Sequence, residues 1–328
     1  MASLPRFPQL SRYQATKHTV SPLVARHRRR EGRAPLRMAS HLSVIIPLVV
    51  AVLYAVAALI LKRANEGLTE PWRLTFVVNW IMAAVFSGFL FMGGHAFAWL
   101  HLLHAAIAGL AFFIGQIFTF LALSRGDVSV ATPVLGTKVI FVAFFGALVG
   151  TEVVSSGMWL AALITSIATA LLGSGGGKRA HPLGRSIFFG LTAAANFALT
   201  DVCMQAWASA WGLGYFAPAM FVCMGLYSFA LIPFFAGPLR ELSWRWLVPG
   251  ASLLGLQATG IAYSIVVFRS ATTTNIIYNS RGIWSVLLVW FVGHWFGNAE
   301  RAHGPRIMIR RLAASLLLLS AIVLVTRR

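Results

Sequence analysis

Ten apolar segments, each close in length to a membrane-spanning helix, make up most of the chain after residue 42. A bilayer requires about 20 consecutive apolar residues per helix, and lipid offers no partner for unpaired backbone groups. The segments lie at about 43–61, 74–92, 101–123, 128–150, 156–174, 185–205, 214–236, 246–268, 271–297 and 308–326. They predict an all-α polytopic membrane protein with ten transmembrane helices.

The composition excludes a soluble globular domain. Hydrophobic residues make up 58% of the chain and charged residues 11%, and the mean hydropathy is +0.77. A net charge of +19 would favour a nucleic-acid partner in a soluble protein, but nine of the 27 Lys and Arg residues precede Met38. Most of the others lie at the ends of apolar segments, as in membrane proteins. The expected partners are therefore the lipid bilayer and a small-molecule substrate, with no nucleic acid, in a monomer or a homodimer.

The first 41 residues are basic and carry no sustained apolar periodicity. They include the run RHRRR at residues 26–30, and this composition predicts a disordered segment. Met38 opens the sequence MASHLSVIIPLVV, which leads directly into the first apolar segment. A second interpretation is therefore that Met38 is the true start of the protein.

A glycine-rich, basic connection divides the ten segments into two groups of five. The connection is GSGGGKRAHPLGR at residues 173–185. It predicts a first five-helix repeat at 42–174, a linker at 175–184 and a second repeat at 185–328. An odd number of spans per repeat reverses the second repeat relative to the first, so the repeats are predicted to be inverted. The loops on the side of the termini hold three Lys and Arg residues after Met38, against thirteen on the opposite side, and adding the nine upstream removes the difference. The orientation in the membrane is therefore left open.

Two of the apolar segments carry a lone cation at matching positions. The cations lie in the stretches 124–152 and 268–300, and a shift of 143 positions places Lys138 on Arg281, each ten residues into its span. A cation near the centre of a spanning helix costs roughly 2.5–3.5 kcal/mol on insertion scales, so such residues mark functional sites more often than not. The pair predicts an anion-binding site near the midplane, while a structural pairing with Asp201 is the alternative interpretation.

Helix-breaking and boundary residues recur in both halves beside these cations. They are Ala131, Thr132, Pro133, Gly136, Gly150 and Glu152 in the first half and Asn275, Asn279, Gly282, Gly297 and Glu300 in the second. With the five-span halves, this pattern resembles the EamA type of the drug/metabolite transporter superfamily over residues 42–326. The second half departs from it in lacking a proline at the position that matches Pro133. The resemblance implies a secondary transporter without a cofactor, and we expect it in a bacterial plasma (inner) membrane.

Within that superfamily, plastid sugar-phosphate translocators are similar in using Lys and Arg on the corresponding helices to hold a phosphate. The resemblance therefore implies that Lys138 and Arg281 bind an anionic group, with Arg281 offering a bidentate fork. Asp201 is the only acid well inside an apolar segment. It is compatible with three roles: proton coupling, a counter-ion for Lys138 or Arg281, or an interfacial acid.

Further polar and aromatic residues are candidates for the same cavity. In a continuous ninth span, Tyr278, Arg281 and Ser285 would share a face because they lie three and four residues apart. Uncharged candidates on other spans are Asn79, Gln116, Gln257 and Thr259, and Trp284 is a candidate for stacking on a substrate ring. Ordinary interhelical hydrogen bonds and helix packing are the alternative roles for these residues.

The sequence contains no complete enzyme motif. The glycine-rich run at 173–179 lacks the first glycine of a phosphate loop and its Ser or Thr, and the sequence contains no paired catalytic carboxylates. Among the histidines, only His101 and His104 have the spacing of metal ligands, and they lie at the edge of a span. We therefore expect no enzymatic activity and no metal. The predicted function is alternating-access transport of a small anionic or zwitterionic metabolite. The alternatives are proton-coupled efflux of cationic or amphiphilic drugs through Asp201, and a non-transporting membrane scaffold.

Overall fold

The computed structural model describes residues 22–65, 70–124, 134–173, 183–292 and 305–326, and all regular structure within these ranges is helical. The α-helices are α1 Pro22–Ala64, α2 Trp72–Phe86, α3 Trp99–Ser124, α4 Lys138–Val149, α5 Ser156–Gly173, α6 Leu183–Trp211, α7 Leu213–Tyr227, α8 Trp244–Phe268, α9 Ala271–Tyr278, α10 Arg281–Val292 and α11 Pro305–Thr326. The 3₁₀ helices are η1 Ser87–Met92, η2 Ser228–Phe234 and η3 Leu239–Glu241.

Six helices have the length and apolar composition to cross a membrane. They are His41–Ala64, Trp72–Met92, Trp99–Ala122, Ile187–Trp211, Leu213–Phe234 and Trp244–Phe268. These six correspond to predicted spans one, two, three, six, seven and eight. Predicted spans four, five and ten contain shorter apolar helices, and span nine is divided between α9 and α10. Spans four and nine also lie partly outside the described residues. The total of ten transmembrane helices therefore stays a prediction.

The N-terminal segment lies mostly outside the unit that contains the site. The chain divides at Leu42 and Ser43, and α1 begins at Pro22. Residues 1–21 lie outside the described residues, and the expectation of a disordered segment through residue 41 stays a prediction. The alternative start at Met38 stays a prediction. Everything below concerns the unit Ser43–Arg328.

The predicted short joint between spans eight and nine is confirmed. α8 ends at Phe268, and Arg269 takes a left-handed conformation (φ 50°, ψ 37°) that reverses the chain before α9 begins at Ala271. The other predicted short joint, Ser124 to Asp127, lies outside the described residues beyond Ser124. A residue in the left-handed conformation commonly ends a helix, because it lets the following N–H groups bond back to the last carbonyls of the helix. Glycine usually occupies this position.

The N-terminus of α9 is capped by side chains from other parts of the chain. The Glu152 carboxylate, in the connection between α4 and α5, accepts hydrogen bonds from Ser270 Oγ (2.7 Å) and Thr272 N (3.1 Å). The Gln205 side chain on α6 accepts a bond from Ala271 N (3.0 Å). The first N–H groups of a helix have no partner within the helix, and an acid there also interacts favourably with the helix dipole. These bonds explain how an eight-residue helix begins inside the protein.

The fourth and ninth predicted spans are interrupted by equivalent turns. Gly136–Thr137 precedes α4 and Asn279–Ser280 precedes α10, and both helices are 12 residues long. The backbone bonds also match: Thr137 N donates to Val134 O and Ser280 N donates to Ile277 O, both at 3.0 Å. Each position differs from its counterpart by 143, the offset found in the sequence. The correspondence therefore extends from residue type to backbone hydrogen bonding.

Close helix contacts depend on glycine and on stacked aromatic rings. Phe86 on α2 and Phe221 on α7 are buried and stack with ring centroids 3.7 Å apart. A Cβ at Gly109 on α3 would lie 2.6 Å from Met220 O on α7, so the backbones of these helices nearly touch. Small residues permit such contacts in membrane proteins, where packing rather than the hydrophobic effect drives helix association.

We expect Gly214→Ala to destabilise the protein, because a Cβ at this position in the first turn of α7 would lie 2.7 Å from Phe89 O and closer still to Gly93 O. Backbone must move to accept it, at a cost on the order of 1–3 kcal/mol. Gly88→Ala is the matched control, since a Cβ there meets nothing within 4 Å. Thermal unfolding in detergent measures both variants. Equal melting temperatures would contradict the close approach of α7 to the connection between α2 and α3.

Candidate functional site

Each of the two predicted cations begins one of the 12-residue helices that follow the turns. Lys138 is the first residue of α4 and Arg281 is the first residue of α10. A helix N-terminus carries unpaired N–H groups and the positive end of the helix dipole. Interrupted transporter helices present such ends to anionic groups. Each cation therefore adds its charge to a backbone that already favours an anion.

Lys138 is paired with the buried acid. Its Nζ lies 2.7 Å from Asp201 Oδ2, and the two side chains are 20% and 12% exposed. The same carboxylate oxygen accepts a 2.7 Å hydrogen bond from Asn275 Nδ2 on α9, and that amide nitrogen also donates to Ala271 O (2.9 Å). Asp201 on α6 thus joins α4 to α9. Of the roles left open by the sequence, the counter-ion geometry is the one present here.

Arg281 is held by aromatic rings. Its Cζ lies 4.6 Å from the ring centroid of Tyr54 on α1 and 4.6 Å from that of Tyr278 on α9. The two rings meet edge to face at 5.9 Å, and Arg281 Nη1 donates a 3.1 Å hydrogen bond to Tyr278 Oη. Within the described residues no carboxylate lies within salt-bridge distance of Arg281. Cation–π contacts stabilise the guanidinium without neutralising its charge.

A cavity of about 350 Å³ is lined both by the Lys138–Asp201 pair and by Arg281 with its two tyrosines. Among the described residues, its charged lining side chains are Lys138, Asp201 and Arg281. Two cations and one acid leave the wall with one uncompensated positive charge. The volume lies at the lower end of the ~300–1,000 Å³ typical of ligand pockets, so the cavity has room for one small molecule.

Two glutamine side chains form a second polar region of the wall. Gln116 on α3 donates from Nε2 to Asn79 Oδ1 on α2 (2.9 Å), while its Oε1 is buried without a hydrogen-bond partner. Gln257 on α8 is 6% exposed, and its Oε1 likewise has no partner among the described residues. Both glutamines line the cavity, whereas Asn79 is fully buried behind Gln116.

The structure brings together Lys138, Arg281, Tyr278, Gln116 and Asp201 of the predicted site residues. Asn79, Trp284 and Ser285 are described but are not part of the cavity wall. Trp284 packs instead against a cluster of buried apolar residues.

The turn at Asn279–Ser280 explains the difference. The predicted shared face of Tyr278, Arg281 and Ser285 assumed one continuous helix, and the turn interrupts it. Tyr278 and Arg281 still converge across the turn. Ser285 lies beyond the turn, so helical spacing from Tyr278 does not place it on the same face.

The sequence analysis missed Tyr54 and Asn275 as site residues. Tyr54 lies within the first span, where a tyrosine away from the membrane interface is a signal in itself. Asn275 was identified only as part of the helix-breaking pattern. Its bond to Asp201 joins residues 74 positions apart in the chain, and no local spacing indicates such a contact.

Comparison with known proteins finds a related family and a similar fold. Residues 41–174 match the model of the EamA-like transporter family, which belongs to the drug/metabolite transporter superfamily. A protein of known crystal structure is similar with a TM-score of 0.66 and 18% sequence identity, over 87% of this chain and 99% of that chain. At that identity the similarity shows the fold alone. No curated protein sequence matches the chain. With its long apolar helices, the chain is an integral membrane protein.

We expect Lys138→Met and Asp201→Asn each to destabilise the protein, because each leaves one buried charge without its partner. Breaking a buried ion pair costs about 3–5 kcal/mol, and the residual exposure of Lys138 places the expected loss near the lower end. The double variant carries neither charge, so its loss should be clearly smaller than the sum of the two single losses. Denaturant unfolding in detergent measures this cycle. Additive losses would show that the two side chains do not interact.

Proposed function

We propose that this chain, whose residues 41–174 match the EamA-like transporter family, is a secondary transporter of a small anionic or zwitterionic metabolite. Lys138 and Arg281 bind the anionic group in the central cavity. Two inverted five-helix halves, residues 42–174 and 185–328 joined by 175–184, alternate the access of this cavity between the two sides of the membrane. The protein works as a monomer or homodimer in a bacterial inner membrane.

The observation that carries the proposal is the state of Arg281. It lines the cavity beside two tyrosine rings, and none of the described carboxylates pairs with it. A charged group in a membrane interior is costly unless it is paired. A guanidinium has five N–H donors, and the bond from Nη1 to Tyr278 uses one of them, so others remain for a carboxylate or phosphate oxygen. A substrate anion would provide the missing partner.

The composition of the cavity wall supports the inverted repeat. Five lining positions of the first half have a lining counterpart in the second half, 143 residues later. The pairs are Tyr54 with Phe197, Ala58 with Asp201, Leu61 with Met204, Leu135 with Tyr278, and Lys138 with Arg281. Such pairing is expected when a binding site lies between two structurally equivalent halves. The pairs differ in chemistry, so the repeat provides positions and the individual residues provide specificity.

The Lys138–Asp201 pair suggests how an anion enters the site. An anionic substrate can replace Asp201 as the partner of Lys138, and Asp201 then keeps its hydrogen bond from Asn275. A zwitterion can also place its cationic group beside the released carboxylate. For a zwitterion, binding and release would therefore exchange ion pairs without leaving a bare charge in the cavity.

The same contacts weigh against efflux of cationic drugs as the main activity. That function needs Asp201 as a free acid, but Lys138 and Asn275 both engage it. A net positive wall also repels cations. A scaffold role without transport leaves the unpaired Arg281 in the cavity without an explanation.

We expect Arg281→Gln to weaken anion binding and transport at least tenfold. Hydrogen bonds to charged groups contribute about 1.5–3 kcal/mol, and each 1.4 kcal/mol is a factor of ten. The assays are thermal stabilisation of the purified protein by anionic, zwitterionic and cationic metabolites, and flux of the stabilising compounds into proteoliposomes. Arg240→Gln is the matched control, because Arg240 is exposed in η3 outside the cavity.

Two results would count against the proposal. Stabilisation by anions that persists unchanged in Arg281→Gln would move the anion site elsewhere. Stabilisation by cations that depends on Asp201 would favour the efflux function instead.

A further inference from the structure

The cavity has two polar ends that differ in chemistry. The basic end consists of Lys138, Asp201 and Arg281 with the two tyrosines. The amide end is defined by Gln257, whose side-chain oxygen has no partner among the described residues. Gln257 lines the cavity, so a ligand group that hydrogen-bonds to its amide would complete the pairing of this side chain.

The wall between the ends is apolar and aromatic. Side chains from α2, α3, α6 and α7 provide it, namely Met82, Phe86, Phe112, Phe197, Met220 and Phe221. Sugars and other polyhydroxylated bodies would lose hydrogen bonds to water there without replacement. A flat ring or an aliphatic body instead gains contacts with the phenylalanine rings and the adaptable methionines.

The length of the cavity follows from α8. Leu254, Gln257, Ala258, Ile261, Ala262 and Ile265 line it at spacings of three and four, so one face of α8 forms one side of the wall. The eleven steps from Leu254 to Ile265, at about 1.5 Å rise each, extend about 16 Å along the helix. Ile261 and Ile265 share an apolar cluster with Tyr278 of the basic end. Gln257 therefore lies beyond them, one helical turn further from the basic end.

The charge of the wall limits the charge of the ligand. Lys138 and Asp201 neutralise each other, which leaves Arg281 as one uncompensated positive charge among the described lining residues. A monoanion balances that charge. A dianion would leave an excess negative charge in a largely apolar cavity, which is costly.

From these observations, and resting on the transport function above, we propose that the substrate is an amphipathic monoanion. Its carboxylate or equivalent group binds Arg281, its apolar or aromatic body lies against the methionine and phenylalanine wall, and a hydroxyl group at its far end hydrogen-bonds to Gln257. Gln257 is then the residue that determines specificity. A hydroxyl both donates and accepts, so it pairs with the Gln257 amide through either the oxygen or the nitrogen of that side chain.

The test compares three probes that separate these features. 3-Phenylpropanoate has the anionic group and the apolar body, 3-(4-hydroxyphenyl)propanoate adds only the distal hydroxyl, and inorganic phosphate has neither body nor distal group. Affinities are measured by thermal stabilisation and by isothermal titration in detergent. In the natural protein we expect the hydroxylated acid to bind about fivefold more tightly than 3-phenylpropanoate, and phosphate to bind most weakly.

Gln257→Met keeps the volume of the side chain and removes its hydrogen-bonding groups. We expect it to abolish the preference for the hydroxylated acid while leaving the affinity for 3-phenylpropanoate within about twofold. Thr259→Val is the matched control, because Thr259 lies on the same helix, donates to Gly255 O (2.9 Å) and is not in the wall. Should Gln257→Met fail to fold, the comparison of the two acids on the natural protein still decides.

The outcomes distinguish this inference from the function on which it rests. Equal binding of the two acids, or a preference that persists in Gln257→Met, overturns the distal contact. Phosphate binding more tightly than both acids overturns the apolar body and leaves anion transport standing, provided that binding depends on Arg281. Failure of every anion to bind, or binding that Arg281→Gln does not change, overturns the transport function and this inference together.

Discussion

The cost of burying charge inside a membrane protein governs the centre of this structure. Two cations lie there, and each is stabilised differently. Lys138 has a compact ammonium group and pairs with Asp201 at 2.7 Å. Arg281 has a planar, weakly hydrated guanidinium and lies 4.6 Å from each of two tyrosine rings. The first arrangement cancels charge and the second retains it, which follows from the different chemistry of the two side chains.

The interrupted helices make this arrangement possible. A continuous helix would pair all its backbone groups internally and would offer a cavity nothing but side chains. Here α4 and α10 each begin at their cation, directly after a turn, so the positive end of each helix dipole lies beside the charge. The break has a structural cost, since α9 is left short. Glu152 and Gln205 offset it by capping the start of α9 from outside its own segment.

How far the sequence predicts this structure depends on the range of each interaction. Segment length and composition locate the helices, because the bilayer imposes both. The offset of 143 pairs Lys138 with Arg281, and the turns, helix lengths and backbone bonds agree with that pairing.

Faces and partners were harder to predict. Ser285 was placed on the cavity by a helical spacing that the turn at Asn279–Ser280 interrupts. Asn275 and Tyr54 reach the site by contacts between helices, and no local pattern indicates these. Asp201 was found because acids are rare in apolar segments, but only the fold shows which cation it pairs with.

The pairing of lining residues across the two halves is symmetric in position and unequal in chemistry. Asp201 corresponds to Ala58, which also faces the cavity. The first half thus lacks a carboxylate at a position where the second half has one. The net charge of the cavity wall therefore depends on individual side chains and not on the helical scaffold. One carboxylate at residue 58 would suffice to make the two halves electrostatically equal, so a single codon separates a cavity with a net positive wall from a charge-balanced one within an unchanged architecture.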